Sequence, residues 1–161
     1  MATEILLPGT TGQQWMQQSL RGVAQDASTQ QRLILPTSGA LVDTASTNNF
    51  NLVPGHYGDY VGSKPSVFSG VPGTTLGKGT YKSTTQATSI QHLDTVNLAA
   101  TSVGQWSNSQ FADVKVAPGA KAKYVSCTFK GTIDNSGGKA TDVTLIGCIF
   151  NGPKPINVTV I

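Results

Sequence analysis

Catalysis and metal binding need nucleophiles, acids, bases or ligands at workable spacings, so those residue types are taken first. The carboxylates are Glu4, Asp26, Asp43, Asp59, Asp94, Asp113, Asp134 and Asp142. Glycoside cleavage needs two carboxyl groups flanking one bond, and no two of these acids stand at strand-neighbour spacing. Gly73-Thr-Thr-Leu-Gly-Lys-Gly79 has the composition of a phosphate-binding loop. That loop requires four residues between its first Gly and the Gly-Lys pair, followed by Ser or Thr. Here three residues intervene and Gly79 follows, which misplaces the backbone N–H cradle. His56 and His92 are isolated, and Cys127 and Cys148 have neither a Cys-x-x-Cys spacing nor a His beside them, so no metal set is expected. No Gly-x-Ser-x-Gly nucleophile elbow occurs. Asn157-Val-Thr159 is a glycosylation sequon that carries meaning only in an exported chain. The expectation is of no catalytic, cofactor-binding or metal site.

The elements that would position these residues are short strands. Of 161 residues, 38% are hydrophobic and 12% charged, the latter about half the usual share. Threonine (20), glycine (18), serine (14) and glutamine (11) fill the difference. That mixture suits strands with frequent turns and disfavours helix bundles. A chain this poor in large apolar residues buries little surface alone and gains from completing its core against copies of itself. The formal charge is +3. Six of the lysines (Lys115, Lys121, Lys123, Lys130, Lys139, Lys154) fall after residue 113. Arginine occurs only at Arg21 and Arg32, whereas nucleic-acid binders show denser, Arg-containing patches, so lysines on exposed strand faces are expected. No stretch approaches the roughly 18 apolar residues of a membrane span. The segment MATEILLPGT lacks a basic leader region, which suggests a cytoplasmically made protein with reduced cysteines.

Three regions are expected: an N-terminal arm and anchoring segment (1–36), a loop-rich β region (37–112) and a β-helix-like end (113–161). In the arm, Glu4-Ile-Leu-Leu-Pro-Gly reads as a short strand ended by a turn. Residues 10–25 allow one short helix with Trp15, Met16, Leu20 and Val23 on a face, and residues 31–36 a further strand. Turn signals crowd the middle, including Pro54-Gly55, Gly58-Asp59, Pro72-Gly73 and Gly77-Lys-Gly79. Tyr57, Tyr60, Phe68 and Tyr81 there either fill a thin core or anchor a partner.

In the last region AKYVSCTFKG (Ala122–Gly131) is followed 21 residues later by VTLIGCIFNG (Val143–Gly152). Period-2 alternation puts Val125, Cys127 and Phe129 on one face, and likewise Ile146, Cys148 and Phe150. These six are the expected structural core, with each cysteine a small buried hydrophobe. A repeat of just over twenty residues matches one solenoid coil; a hairpin or sandwich using the Cys-x-Phe phrase twice is the alternative. Twenty-one residues upstream of Cys127 stands Trp106, without a clean third copy.

The phrase resembles that of right-handed parallel β-helix proteins, over roughly residues 113–156. The resemblance implies a mainly β chain with a short parallel β-helix. The chain also resembles, in overall style, the accessory structural proteins of tailed-bacteriophage virions: capsid decoration proteins, head fibres and small spikes. That likeness implies a non-enzymatic, commonly trimeric protein on the virion surface. Its expected partners are itself and the major capsid or other virion proteins, without nucleic acid or membrane. Ile5, Leu6, Leu7, Trp15, Met16 and Leu20 are the expected attachment residues. Two alternatives stay open. One is a receptor- or glycan-binding tail-fibre or spike tip. The other is a small carbohydrate-active β-helix enzyme using Asp113 and Asp142 from neighbouring coils, although each precedes an apolar strand, where a turn role is expected.

Overall fold

The computed structural model describes the backbone of residues 4–6, 23–26, 31–34, 40–43 and 48–52, and then residues 54–62 and 64–161. Side chains are described for Phe50, Leu52 and residues 54–62 and 64–161. The arm contains β1 (Glu4–Leu6), β2 (Val23–Asp26) and β3 (Gln31–Ile34). The coils begin with β4 (Ala40–Asp43), β5 (Asn48–Leu52), β6 (Gly55–His56) and β7 (Asp59–Gly62). They continue as β8 (Ser66–Ser69), β9 (Thr74–Leu76), β10 (Gly79–Tyr81), β11 (Thr84–Thr88), β12 (Gln91–His92) and β13 (Val96–Leu98). Then come β14 (Val103–Ser107), β15 (Gln110–Phe111), β16 (Val114–Val116), β17 (Lys121–Val125), β18 (Thr128–Phe129) and β19 (Ile133–Asp134). After a 3-10 turn at Ala140–Asp142 the chain ends with β20 (Val143–Ile146), β21 (Ile149–Phe150) and β22 (Thr159–Val160).

These strands build three sheets that the chain visits in turn, all parallel except at β2, which pairs antiparallel with β3 and β5 in sheet I. Sheet I has the order β1-β3-β2-β5-β8-β11-β14-β17-β20-β22, sheet II β6-β9-β12-β15-β18-β21 and sheet III β4-β7-β10-β13-β16-β19. The path I→II→III→I repeats about six times, which defines a parallel β-solenoid. Its coils start well before residue 113. The segment expected to be loop-rich holds β4 to β15, and its Pro-Gly and Gly-Asp signals mark corners between sheets. Val23 lies in β2 and not in a helix; residues 7–22, with Leu7, Trp15, Met16, Leu20 and the rest of the expected helix, lie outside the described residues.

Each strand is short because the coil turns every two to five residues, and inside each strand the alternation is plain. In β17 Lys121 and Lys123 face out while Ala122 and Tyr124 are buried. Corners between sheets I and II are made by Ser89, Asn108, Ser126 and Gly147, with φ of 55°, 49°, 53° and 59°. The left-handed residue at each of these corners rotates the chain out of strand phase. The expected face of Val125, Cys127 and Phe129 is therefore corrected. Ser126 breaks the alternation, so Tyr124, Cys127 and Phe129 point inward and Val125 is only half-buried. In the next coil Leu145 is buried and Ile146, Cys148 and Phe150 are half-buried.

The coil length is 18 or 19 residues through the middle of sheet I, as the pairs Thr84↔Val103 and Val103↔Lys121 show. The 21-residue offset seen in the repeated phrase belongs to one enlarged coil, Ala122↔Val143, which carries the 3-10 turn. Trp106 does stack one coil below, on Tyr124 and not Cys127: their rings lie 5.1 Å apart at 16°. Phe129 stacks between Phe111 (5.4 Å) and Phe150 (5.8 Å). Tyr57, Tyr60, Phe68 and Tyr81 are buried, so they fill the core and do not anchor a partner from the surface.

Candidate functional site

Asp59 and Asp113 are placed at corners, where they tie one coil to the next. Asp59 Oδ1 accepts the Lys78 N–H at 2.9 Å and Asp113 Oδ1 accepts the Thr132 N–H at 2.8 Å. Gly77 and Gly131 are required beside them, because a Cβ at either would stand 2.2 Å from the respective Oδ1. The Gly-Lys of the phosphate-loop-like segment is thus a corner whose N–H already binds a carboxylate of its own chain. Asp142 lies at the corner leading into β20. There it pairs with Lys121 Nζ at 2.9 Å and accepts the Lys139 N–H at 3.3 Å. The hydrogen bond from Lys121 holds its carboxyl below the usual range. Asp113 and Asp142 sit at different corners, so the fold does not bring this acid pair together. Asp134 accepts the Ser136 N–H at 2.9 Å, which lowers its pKa.

The imidazole of His92 and the thiol of Cys127 are turned inward, while His56 and Cys148 are half-buried. His92 is buried, with Nδ1 2.9 Å from the Gly77 carbonyl and Nε2 2.6 Å from Tyr81 Oη. The carbonyl can only accept, so Nδ1 carries the proton and Nε2 accepts from the tyrosine. Burial lowers the His92 pKa to about 4 and raises that of Tyr81. Cys127 is fully buried and burial pushes its thiol up to about 12, the opposite of a reactive thiolate. The Cys148 thiol is raised by the same cause, and the two cysteines are unpaired. The sequon asparagine is engaged as well: Asn157 Nδ2 donates to the carbonyls of Gly138 (2.8 Å) and Asn135 (3.0 Å). Asn135 Nδ2 returns a bond of 2.9 Å to the Asn157 carbonyl. Among the described residues no group of three or more His, Cys, Asp or Glu is placed to hold a metal ion.

What faces solvent differs along the rod. On the outer side of sheet I, Gln86 and Gln105 are register partners beside a trough of about 230 Å³ also lined by Val67, Ser69, Thr88 and Ser107. Around the neighbouring corner Gln91 and Gln110 are partners on sheet II, beside a second trough of about 240 Å³ with Asn108 and Ser89. No charged residue lines either trough, and among the described residues no aromatic side chain is exposed. The last coil is different. Ile149 (59% exposed), Ile156 (43%), Val160 (57%) and Ile161 (74%) are all on it, beside the half-buried Phe150 and Val158. Burial could not be read from the sequence here. The outward turn of Ile149 follows from the corner at Gly147, which no alternation pattern reveals.

Of the expected attachment residues, Ile5 and Leu6 are in β1, the outermost strand of sheet I. No helix among the described residues is long and apolar enough to cross a membrane. No protein-family profile matches the chain, and no curated protein or solved structure matches it. The class is therefore set by the geometry alone: a parallel β-solenoid whose polar side chains join coil to coil.

Proposed function

We propose that this chain is a non-enzymatic structural protein of a larger assembly, acting as a rigid solenoid element. The setting we favour is a phage virion, as a capsid decoration or head-fibre protein attached through its N-terminal part. The observation that carries the reading is the use made of reactive side chains. Asp59, Asp113, Asp142, His92 and Asn157 each spend their hydrogen bonds on another coil or corner, and Cys127 is sealed in the core. Such a surface offers recognition and rigidity in place of chemistry. Quantitative mass spectrometry of particles purified from the producing host tests the setting. Hundreds of copies per particle support decoration, a few indicate a tail component, and none overturns the virion reading.

A second reading is supported by the paired glutamines. Gln86/Gln105 and Gln91/Gln110 present stacked amides with no charge nearby, a chemistry suited to neutral glycans, as on a fibre or spike tip. Without exposed aromatics for stacking, such binding rests on hydrogen bonds and is weak singly. Glycan-array binding lost in a Gln86→Ala/Gln105→Ala variant supports it; no binding across neutral glycans removes it.

A further inference from the structure

We infer that the final coil is a docking surface for a second copy of this chain, which adds its β1 to the outer edge of β22, unpaired among the described residues, head to tail. The clustering of exposed apolar residues points there first. Ile149, Ile156, Val160 and Ile161 lie on one coil, next to the outermost strands of sheets I and II. Open parallel edges with apolar neighbours are templates for strand addition, and stacked-coil proteins cover their terminal coils.

The occupant follows from strand direction and charge. β1 is parallel to β3, β3 antiparallel to β2, and β2 antiparallel to β5. β1 therefore runs in the direction of β5, and so of every later sheet I strand through β22. β1 and β22 are the two outermost strands of sheet I. A copy shifted along the sheet brings β1 onto β22 as one more parallel strand, with main-chain hydrogen bonds giving affinity. The segment of β1 is Glu-Ile-Leu, apolar enough to cover an apolar edge. Charge agrees: residues 1–43 contain Glu4, Asp26 and Asp43 against Arg21 and Arg32, whereas the chain from residue 143 has Lys154 and no acid. Tail-to-tail contact would join like signs and head-to-tail contact opposite ones. A heterologous contact of this kind closes into a ring or grows as a filament.

The inference rests on the structural reading only in treating the chain as an assembly component. Copy number in particles tests that reading, and self-association of the purified chain tests this one. Sedimentation velocity across the micromolar range is expected to show concentration-dependent association, abolished in Val160→Lys/Ile161→Lys with an unchanged circular dichroism spectrum. Direction is read by oxidising Leu6→Cys and Val160→Cys chains, both in a Cys148→Ser background. Head-to-tail contact gives a covalent dimer only when the two are mixed. A wild-type chain that stays monomeric, a double-lysine variant that still associates, or a disulfide dimer of Val160→Cys alone would each overturn it.

Discussion

The middle coils and the final coil use one backbone plan with opposite results. From Phe68 to Phe129 the interior is filled by rings: Phe68, Tyr81, Trp106, Phe111, Tyr124 and Phe129 are 0–2% exposed, and each touches rings of its own or an adjacent coil. In the final coil Phe150 continues the Phe111–Phe129 column but is only half-buried, because no further coil covers it among the described residues. Its apolar neighbours face outward. A solenoid buries a residue against the coils on both sides, so the position of a coil in the stack, more than its residue types, decides what is hidden. The interior of the middle is saturated with contacts, and its exposed large apolar residues, Val71, Leu93 and Val103, stand on separate elements; the end groups four such residues on one coil.

The largest effect that tests this contrast is removal of a central ring. Trp106→Ala is expected to cost about 3–5 kcal/mol, read from the urea midpoint and slope. Phe150→Ala, in the half-covered coil, is expected to cost about 1–2 kcal/mol on the same scale. Equal losses would break the comparison.

Next in size is a pH effect confined to the middle. The neutral form of His92 is favoured in the fold, with a pKa of about 4 against an ordinary 6.5. Its contribution is therefore fully present above about pH 6.5, falls as the pH drops towards 4, and is gone below that. A shift of this size corresponds to about 3 kcal/mol. Unfolding free energies measured between pH 7 and 4 should fall accordingly, and the fall should flatten by that amount in His92→Leu, whatever the variant's stability at pH 7. A parallel fall in the variant would place the acid sensitivity elsewhere.

Smaller again is the corner test. Gly131→Ala drives a methyl towards Asp113 Oδ1, 2.2 Å from the added carbon, at an expected cost of about 1–3 kcal/mol. Adding Asp113→Ala should recover part of the loss in a double-mutant cycle. Additive losses would mean that the carboxylate is not what the glycine makes room for.

The sequence made part of this molecule legible. The two Cys-x-Phe phrases exposed a stacked-coil plan, and the turn signals at Gly58-Asp59 and Gly77-Lys78 stand where the fold puts a corner. The extent of the solenoid was hidden for physical reasons. Volumes are balanced along the core column, where Phe68, Ala87, Trp106, Tyr124 and Leu145 succeed one another in register, so shape repeats while identity does not. Corners are made by Ser89, Asn108 and Ser126 as well as Gly147, so no glycine rhythm marks the coils. The one conspicuous period belongs to the enlarged coil, so its 21-residue offset meets no third copy among coils of 18 or 19 residues. The hydrogen bonds of His92, inside the core, and of Asn157, at the surface before β22, go to carbonyls many residues away, beyond any local pattern.

The smallest expected effect is the most pointed, because it asks whether the end is open. Ile149→Lys replaces an apolar residue that is 59% exposed on β21, the outermost strand of sheet II. An exposed edge position accepts lysine readily, so the change should stay within about 0.5 kcal/mol of the wild-type chain under dilute, monomeric conditions. At a concentration where copies associate, the same substitution should lower the apparent stability below that of the wild-type assembly by weakening the contact that links association to folding. Thermal melts at two protein concentrations separate the cases. A concentration-independent loss of more than about 1 kcal/mol would mean that Ile149 belongs to the chain's own core, and the contrast between saturated middle and open end would fail.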